Sequence, residues 1–361
     1  MKSKPKWFSG IDSIRFVLAL IVVLGHLKNP LVPFLKSSDH SLIRYLGTFL
    51  GISFVGVAAV ICFFIISGFV IHHPNRFGIS NVKNFYLRRY IRVLVPLIVI
   101  TLGSIPFGNP EQTVVWSLYC ELIYYTIYPL IAAIKLTWRS KVIGAFVLTA
   151  ITILLGAFDD IGYLFNKQNF QYDGSYWQLG IGFTWIIGLP CWLLGVQLAE
   201  RIDDVKIVVS RSKIYLFRTA VFFASIVVML ANFQFSVTYL LTLTFLAIPM
   251  CKWIEYEIQY HKNHKPVSFL ENWGKFSYSL YLTHPLSLVL IPYFLTLNIY
   301  TYPIYIVLAI VIAFFFYLVL ERPSHLLAQR MSRKKTIPPS VPAPVLAGEE
   351  IKQSGTDIDI K

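Results

Sequence analysis

Apolar runs, each close to the width of a bilayer, recur along the whole chain and dictate what it can fold into. A helix needs about 20 apolar residues to cross a hydrocarbon core of about 30 Å. Ten such runs can be read, at 14–34, 47–71, 93–107, 116–134, 142–158, 179–199, 215–231, 235–251, 277–296 and 301–320. In lipid every backbone N–H and C=O has to find its partner inside the protein, so these runs are expected to be helices. The expected fold is an all-α integral membrane protein with about ten transmembrane helices. Composition agrees: 56% hydrophobic and 14% charged residues leave too little polar surface to coat a soluble globule of 361 residues.

Charge fixes the expected orientation. The net charge of +14 first suggests a nucleic-acid binder. Its distribution argues otherwise. With ten spans both termini share a side, and that side collects 28 of the 32 Lys and Arg residues; only Lys28, Lys36, Arg44 and Lys167 fall opposite. This is the positive-inside pattern, so both termini are expected to be cytoplasmic and no nucleic-acid partner is implied. Residues 1–13 are then a cytoplasmic N-terminus, 14–325 the transmembrane domain, and 326–361 a cytoplasmic, disordered tail. The first run contains His26 and has no small-residue cleavage site, so it reads as a permanent span, not a removable signal. Cys62, Cys120, Cys191 and Cys251 are scattered through apolar stretches without metal-ligand spacing. Buried thiols are expected there, and no metal.

Ionisable groups inside spans are costly, so each needs a partner or a job. In IDSIRFVLALIVVLGH, Arg15 and His26 are eleven residues apart, which puts them on one helix face about 16 Å apart along the axis. Asp12 precedes Arg15 by one turn and could orient it. In WSLYCELIYYTIYP, Glu121 falls at nearly the depth of His26, and a carboxylate there needs a complementary group. A Glu121–His26 pair would hold the imidazole in one tautomer and suit it to general-base work; the alternative is a structural Glu121 bonded to tyrosines. Ser117, Glu121, Tyr124 and Tyr128 share a face, with Trp116 beside them.

Arg88, Arg89 and Arg92 at the entry to the third run are either topology anchors or a fork for phosphate. Ser67 and Gly68 in FFIISGF allow close approach of helices. His284 precedes Pro285, which frees a carbonyl one turn earlier that His284 could satisfy. Glu321 is expected to pair with a loop arginine. The remaining histidines, His40, His72, His73, His261, His264 and His325, read as interfacial or exposed. Tyr163, Tyr172, Tyr176 and Trp177 in the 158–178 connection could stack on sugar rings, but an interfacial belt is the ordinary role for most of them.

These motifs, in this order, resemble the acyltransferase-3 family of bacterial integral-membrane O-acyltransferases: IDSIRFVLALIVVLGH, FFIISGF, the arginines of 88–92, WSLYCELIYY, SLYLTHP and the terminal ERP. The resemblance covers about residues 10–325. It implies a ten-helix fold and an acyl-CoA donor, in the first place acetyl-CoA, entering from the cytoplasm as co-substrate, with no permanently bound cofactor. It also implies a catalytic His26, a donor-side role for Arg15, and Glu121 as the family's acidic position. One departure is visible, since Pro96 follows Arg92 at a greater distance than the family's proline usually follows its last arginine. About forty residues follow Glu321, so a stand-alone enzyme without a fused hydrolase-like domain is expected.

The chemistry expected from residues and resemblance together is acyl transfer to a hydroxyl of a cell-surface polysaccharide, lipopolysaccharide or other lipid-linked glycan. The location expected is the bacterial inner membrane. Arg15, Arg88, Arg89 and Arg92 would bind the donor, and His26 with Glu121 would perform the transfer, directly or through an acyl-His26. Ser67, Trp116, Ser117, Tyr124 and His284 would line the site. The rival reading is a transporter or flippase, whose hallmark would be two matching halves with broken helices, and no such repeat is present.

Overall fold

The computed structural model describes residues 8–110 and 112–332. The expected N-terminal segment before Phe8, and the tail beyond Ser332, lie outside the described residues. Among the described residues there are helices and no strands. In chain order the helices are α1 (Ile11–His26), α2 (Leu31–Lys36), α3 (Ser41–Ile52), α4 (Gly56–His72), α5 (Val82–Ser104), α6 (Gln112–Ala133), α7 (Trp138–Gly156) and α8 (Phe158–Phe165). They continue with α9 (Gly180–Arg201), α10 (Arg211–Phe235), α11 (Tyr239–Tyr260), α12 (Ser268–Trp273), α13 (Ser277–Leu290), α14 (Tyr302–Phe316) and α15 (Arg322–Ser332). Each of the ten expected runs overlaps a helix, though the first two span a break, from α1 to α2 and from α3 to α4. Seven helical stretches are long and apolar enough to cross a membrane by length and composition: Ser41–Asn75, Val82–Phe107, Val114–Ala133, Trp138–Gly156, Gly180–Arg201, Arg211–Phe235 and Tyr302–Ser332. α1 and α13 are shorter, with 16 and 14 residues, and α11 carries Lys252, Glu255 and Glu257 near its end.

Several boundaries move, each for a local reason. The first run was expected to continue to residue 34, but the helix stops at His26. Leu27 is extended (ψ 108°), and Pro30 disfavours helix at the residue before it. The second run divides at Ser53–Val55, and this break lies against the end of α1: a Cβ on Gly25 would sit 2.7 Å from the Phe54 carbonyl oxygen. The third run starts eleven residues early, because the Asn81 side chain caps α5 by accepting from Asn84 N at 2.8 Å. Arg88, Arg89 and Arg92 therefore lie inside a helix, not at its entry. At the chain's far end α14 passes through a π-helical turn, Tyr317–Glu321, straight into α15. Residues 326–332 are helical as a result, correcting the expected disorder, with Ser324, Ala328 and Ser332 forming the buried face of α15.

α4 is apolar on every side and forms the centre, as such a helix must. Its apolar window is 67% buried, as is that of α9, against 22% for α7 and α10 and 17% for the final helix, whose outer faces are left to lipid. α4 and α9 approach at glycine: a Cβ on Gly68 would stand 2.0 Å from Trp192 O, and one on Gly195 1.8 Å from Ile65 O. α1 lies between this core and a second layer in which Phe16, Ala19 and Val23 meet Phe276 just before α13, Leu280 of α13, and Tyr305, Ala309 and Ala313 of α14. All four cysteines are buried and free, as expected.

Basic side chains near the helix ends are paired with carboxylates. Arg76 Nη1 donates to Asp203 Oδ2 at 2.6 Å, and Arg218 clasps Glu257 with two bonds, Nε–Oε1 at 2.6 Å and Nη2–Oε2 at 2.9 Å. Partial burial pushes the Asp203 carboxyl up, but Arg76 and His73 outweigh it and hold the group below the ordinary carboxylate value.

Because the α4–α9 contact has no room for a side chain, Gly195→Ala is expected to cost about 3 kcal/mol. Gly144→Ala, where a Cβ meets nothing within 4 Å, should be neutral. Thermal unfolding in detergent checks both; equal midpoints would show that the crossing tolerates bulk.

Candidate active site

A carboxylate finishes the basic end of α1. Glu271 of α12 accepts from Gly10 N and Ser13 N at 3.1 Å and from Ser13 Oγ at 2.6 Å, which satisfies amides that a helix start leaves unpaired. One turn on, Asp12 Oδ1 accepts from Arg15 Nη1 at 3.3 Å, as the spacing predicts. Arg92 of α5 reaches the same neighbourhood and interacts electrostatically with both Asp12 and Glu321; Arg15 interacts with Glu321 as well. Arg88, one turn before Arg92, is exposed.

Glu321 is buried, and the π turn delivers it inward. Its Oε2 accepts from Ser279 N at 3.2 Å and Ser279 Oγ at 2.6 Å. The expected loop arginine is not its bonded partner. Its hydrogen bonds go to α13, with Arg92 and Arg15 close by.

α13 carries polar groups from this end toward the other. Tyr278 OH donates to Val93 O at 3.0 Å and lies within electrostatic reach of Glu321, Arg92, Glu121 and Tyr125. One turn on, the Tyr281 hydroxyl shares a 2.7 Å hydrogen bond with Ser117 Oγ and donates to Val114 O at 3.1 Å. One turn further, His284 Nδ1 bonds the Tyr281 carbonyl at 2.6 Å, the acceptor freed by Pro285 as the sequence predicts. The His284 ring faces His26, with centroids 5.0 Å apart and planes at 43°.

His26 is exposed on the last residue of α1, beside a recess of about 50 Å³ lined by Val22, Gly56, Val60, Trp116, Trp177 and Tyr281 among others. Its Nδ1 lies 2.9 Å from Val22 O. A carbonyl oxygen only accepts, so Nδ1 carries the proton and Nε2 the lone pair. Nδ1 is thus committed to the backbone, and Nε2 is the nitrogen left free beside the recess. Trp116 and Trp177 lie side by side there, with centroids 5.8 Å apart. Trp177 is 45% exposed, whereas Tyr176, expected in an interfacial belt, is fully buried against Trp116.

Glu121 does not meet His26. It accepts from Ser67 Oγ at 2.7 Å and from the Tyr125 hydroxyl, while Trp192 Nε1 donates to Ser67 Oγ at 3.3 Å. Arg89 interacts electrostatically with Glu121 and Tyr125. The tyrosine alternative holds, and the pairing fails on depth. α6 begins at Gln112, so Glu121 lies about 13 Å below its start, whereas α1 ends at His26. The expected common lining of α6 also separates. Ser117 turns to α13, Tyr124 OH donates to Trp185 O at 2.8 Å, and Tyr128 shares a 2.8 Å bond with His72 Nδ1. His72, expected to be interfacial, is buried, with Glu200 on its other nitrogen.

Sequence reasoning passed over Tyr278, Ser279, Tyr281 and Glu271. The signal was present in SYSLYLTH, where Tyr278, Tyr281 and His284 recur every third residue in an otherwise apolar helix. A sequence model of a family described as an acyltransferase domain matches residues 8–321. No curated protein matches the chain, and no solved structure does.

Removing a partly buried carboxylate leaves its donors stranded. Glu121→Ala is expected to lower stability by about 3 kcal/mol, and Glu121→Gln, which still accepts from Ser67 and Tyr125, by about half of that. Thermal unfolding in detergent separates them. Equal small losses would dismiss the Ser67–Glu121–Tyr125 node as a stabilising element.

Proposed function

The chain belongs to the acyltransferase family that its match defines and is a multi-pass membrane acyltransferase, and from that premise we propose that it moves an acyl group, in the first place acetyl, from acyl-CoA to a hydroxyl of a cell-surface or lipid-linked glycan. The positive-inside pattern supports a cytoplasmic position for the basic end of the bundle, in this reading at a bacterial inner membrane. The observation that carries the reading is the line of polar side chains along α13, which joins Arg15 and Arg92 at that end to an exposed His26 at the other. Nothing comparable supports a carrier.

The donor's phosphates meet Arg15, Arg92 and the exposed Arg88, whose guanidinium groups suit a polyanion. Arg89 lies deeper, and Glu121 serves to hold its charge inside the bundle. The thioester arm extends along α13 past Tyr278 and Tyr281. About 16 Å of helix rise separates Arg15 from His26, a length that an extended pantetheine arm covers. The sugar enters from the opposite side and rests against Trp116 and Trp177, whose faces suit the apolar side of a pyranose. His26 Nε2 takes the hydroxyl proton as oxygen attacks the acyl carbon; the carbon–sulfur bond breaks, and the proton ends on coenzyme A sulfur.

His26→Ala is expected to lower acyl transfer by at least about 100-fold with coenzyme A binding intact. Mass spectrometry of glycan O-acylation in cells carrying each form measures this, and near-normal acylation would remove the assignment. Arg92→Ala should raise the donor KM about tenfold with a smaller change in kcat. An unchanged KM would make Arg92 an anchor only.

A further inference from the structure

We propose that His284 is a second catalytic imidazole, which receives the proton from His26 and delivers it to the sulfur of the leaving coenzyme A. The proposal rests on the reading of His26 as the base and assigns the acid step to a different residue. His284 is fully buried. Its Nδ1 bonds the Tyr281 carbonyl at 2.6 Å, and that oxygen can only accept, so Nε2 carries a lone pair. That Nε2 has no hydrogen-bond partner among the described residues. A buried acceptor left bare is costly in a membrane interior and is kept where something transient occupies it.

The neighbouring ring supplies that occupant. His26 and His284 have centroids 5.0 Å apart. Two imidazoles joined by an N–H···N bond of ordinary length have centroids about 5 Å apart, so the separation of the rings suits a bond that forms once a proton has arrived on His26 Nε2. Their surroundings also differ in the useful direction. His26 is exposed beside the aromatic recess, and His284 lies behind it on α13, at the head of the polar line from the basic end. A hydroxyl arriving from outside meets His26 first, and a thioester arriving from the basic end meets His284.

The step balances without any further reactant. The acceptor O–H bond breaks and its proton goes to His26 Nε2. The oxygen bonds the acyl carbon, and the carbon–sulfur bond breaks with its pair on sulfur. The proton passes from His26 Nε2 to His284 Nε2 and then to the thiolate, and both rings end neutral. Tyr281 acts as the positioning group, because its carbonyl holds the Nδ1 proton and so keeps Nε2 free for the transfer.

The test uses the full-length protein in proteoliposomes made with glycolipid from its own membrane and acetyl-CoA as donor. His284→Gln can still donate to the Tyr281 carbonyl but cannot carry a proton. It is expected to lower kcat about 100-fold and leave the acetyl-CoA KM within about twofold. The unaltered protein should give a curved proton inventory in mixed light and heavy water, with two protons in motion, and His284→Gln a linear one. A kcat for His284→Gln within about threefold of the unaltered protein, or a linear inventory for the unaltered protein, overturns the relay. The inventory of the unaltered protein decides even where the variant does not fold. His26→Ala, run beside it, tells the two failures apart. Activity retained in His26→Ala strikes the base itself, while loss in His26→Ala with full activity in His284→Gln strikes only the relay.

Discussion

A polar group held in hydrocarbon must find its partner inside the protein, and the interior of this bundle is organised around that demand. Glu321 is answered by Ser279, Glu121 by Ser67 and Tyr125, Ser117 by Tyr281, and the carbonyl freed at Pro285 by His284. Three of these four bonds involve α13. A helix that paired its groups only with itself would be inert. Here the pairs of α13 reach α5, α6 and the π turn after α14, so one short span ties these elements together and marks a path through the bundle.

Partnering also decides the state of the reactive groups. Both imidazoles are committed through Nδ1 to a carbonyl, and each therefore presents Nε2 as a base. The tautomer comes from the helix backbone, and among the described residues no carboxylate is bonded to either ring. For His26 the carbonyl belongs to its own preceding turn, and for His284 it is the one that Pro285 cannot engage. The acidic residues stay nearer the basic end, where Asp12, Glu271, Glu321 and Glu121 place arginines and finish helices.

Much of this was legible in the sequence. The ten apolar runs each overlap a helix, Asp12 meets Arg15 as their spacing requires, the glycine of FFIISGF sits at a close helix crossing, and His284 takes the carbonyl freed by its proline. The pairing of Glu121 with His26 was not legible, because depth along a helix depends on where the helix begins and ends. Pro30 shortened α1, and α6 began at Gln112, which separated two residues that counting from the expected ends made level. His72 was misjudged for a similar reason. Its place at the end of a span suggested an interface, but Glu200 and Tyr128, distant in sequence, enclose it. The role of α13 lay in plain view in SYSLYLTH, yet serines and tyrosines in a span can bond their own backbone, and only the fold shows which of them face other helices.

The account stands or falls on a thioester entering from the basic end and meeting a base that opens on the other. Sealed proteoliposomes of one orientation, given acetyl-CoA on a single face with acceptor glycolipid in the bilayer, test this directly through the appearance of free coenzyme A thiol. Thiol should appear when the donor is supplied to the arginine-rich face, on that same face, and not when it is supplied to the other. Equal release from the opposite face would contradict the path along α13 and the division of labour built on it.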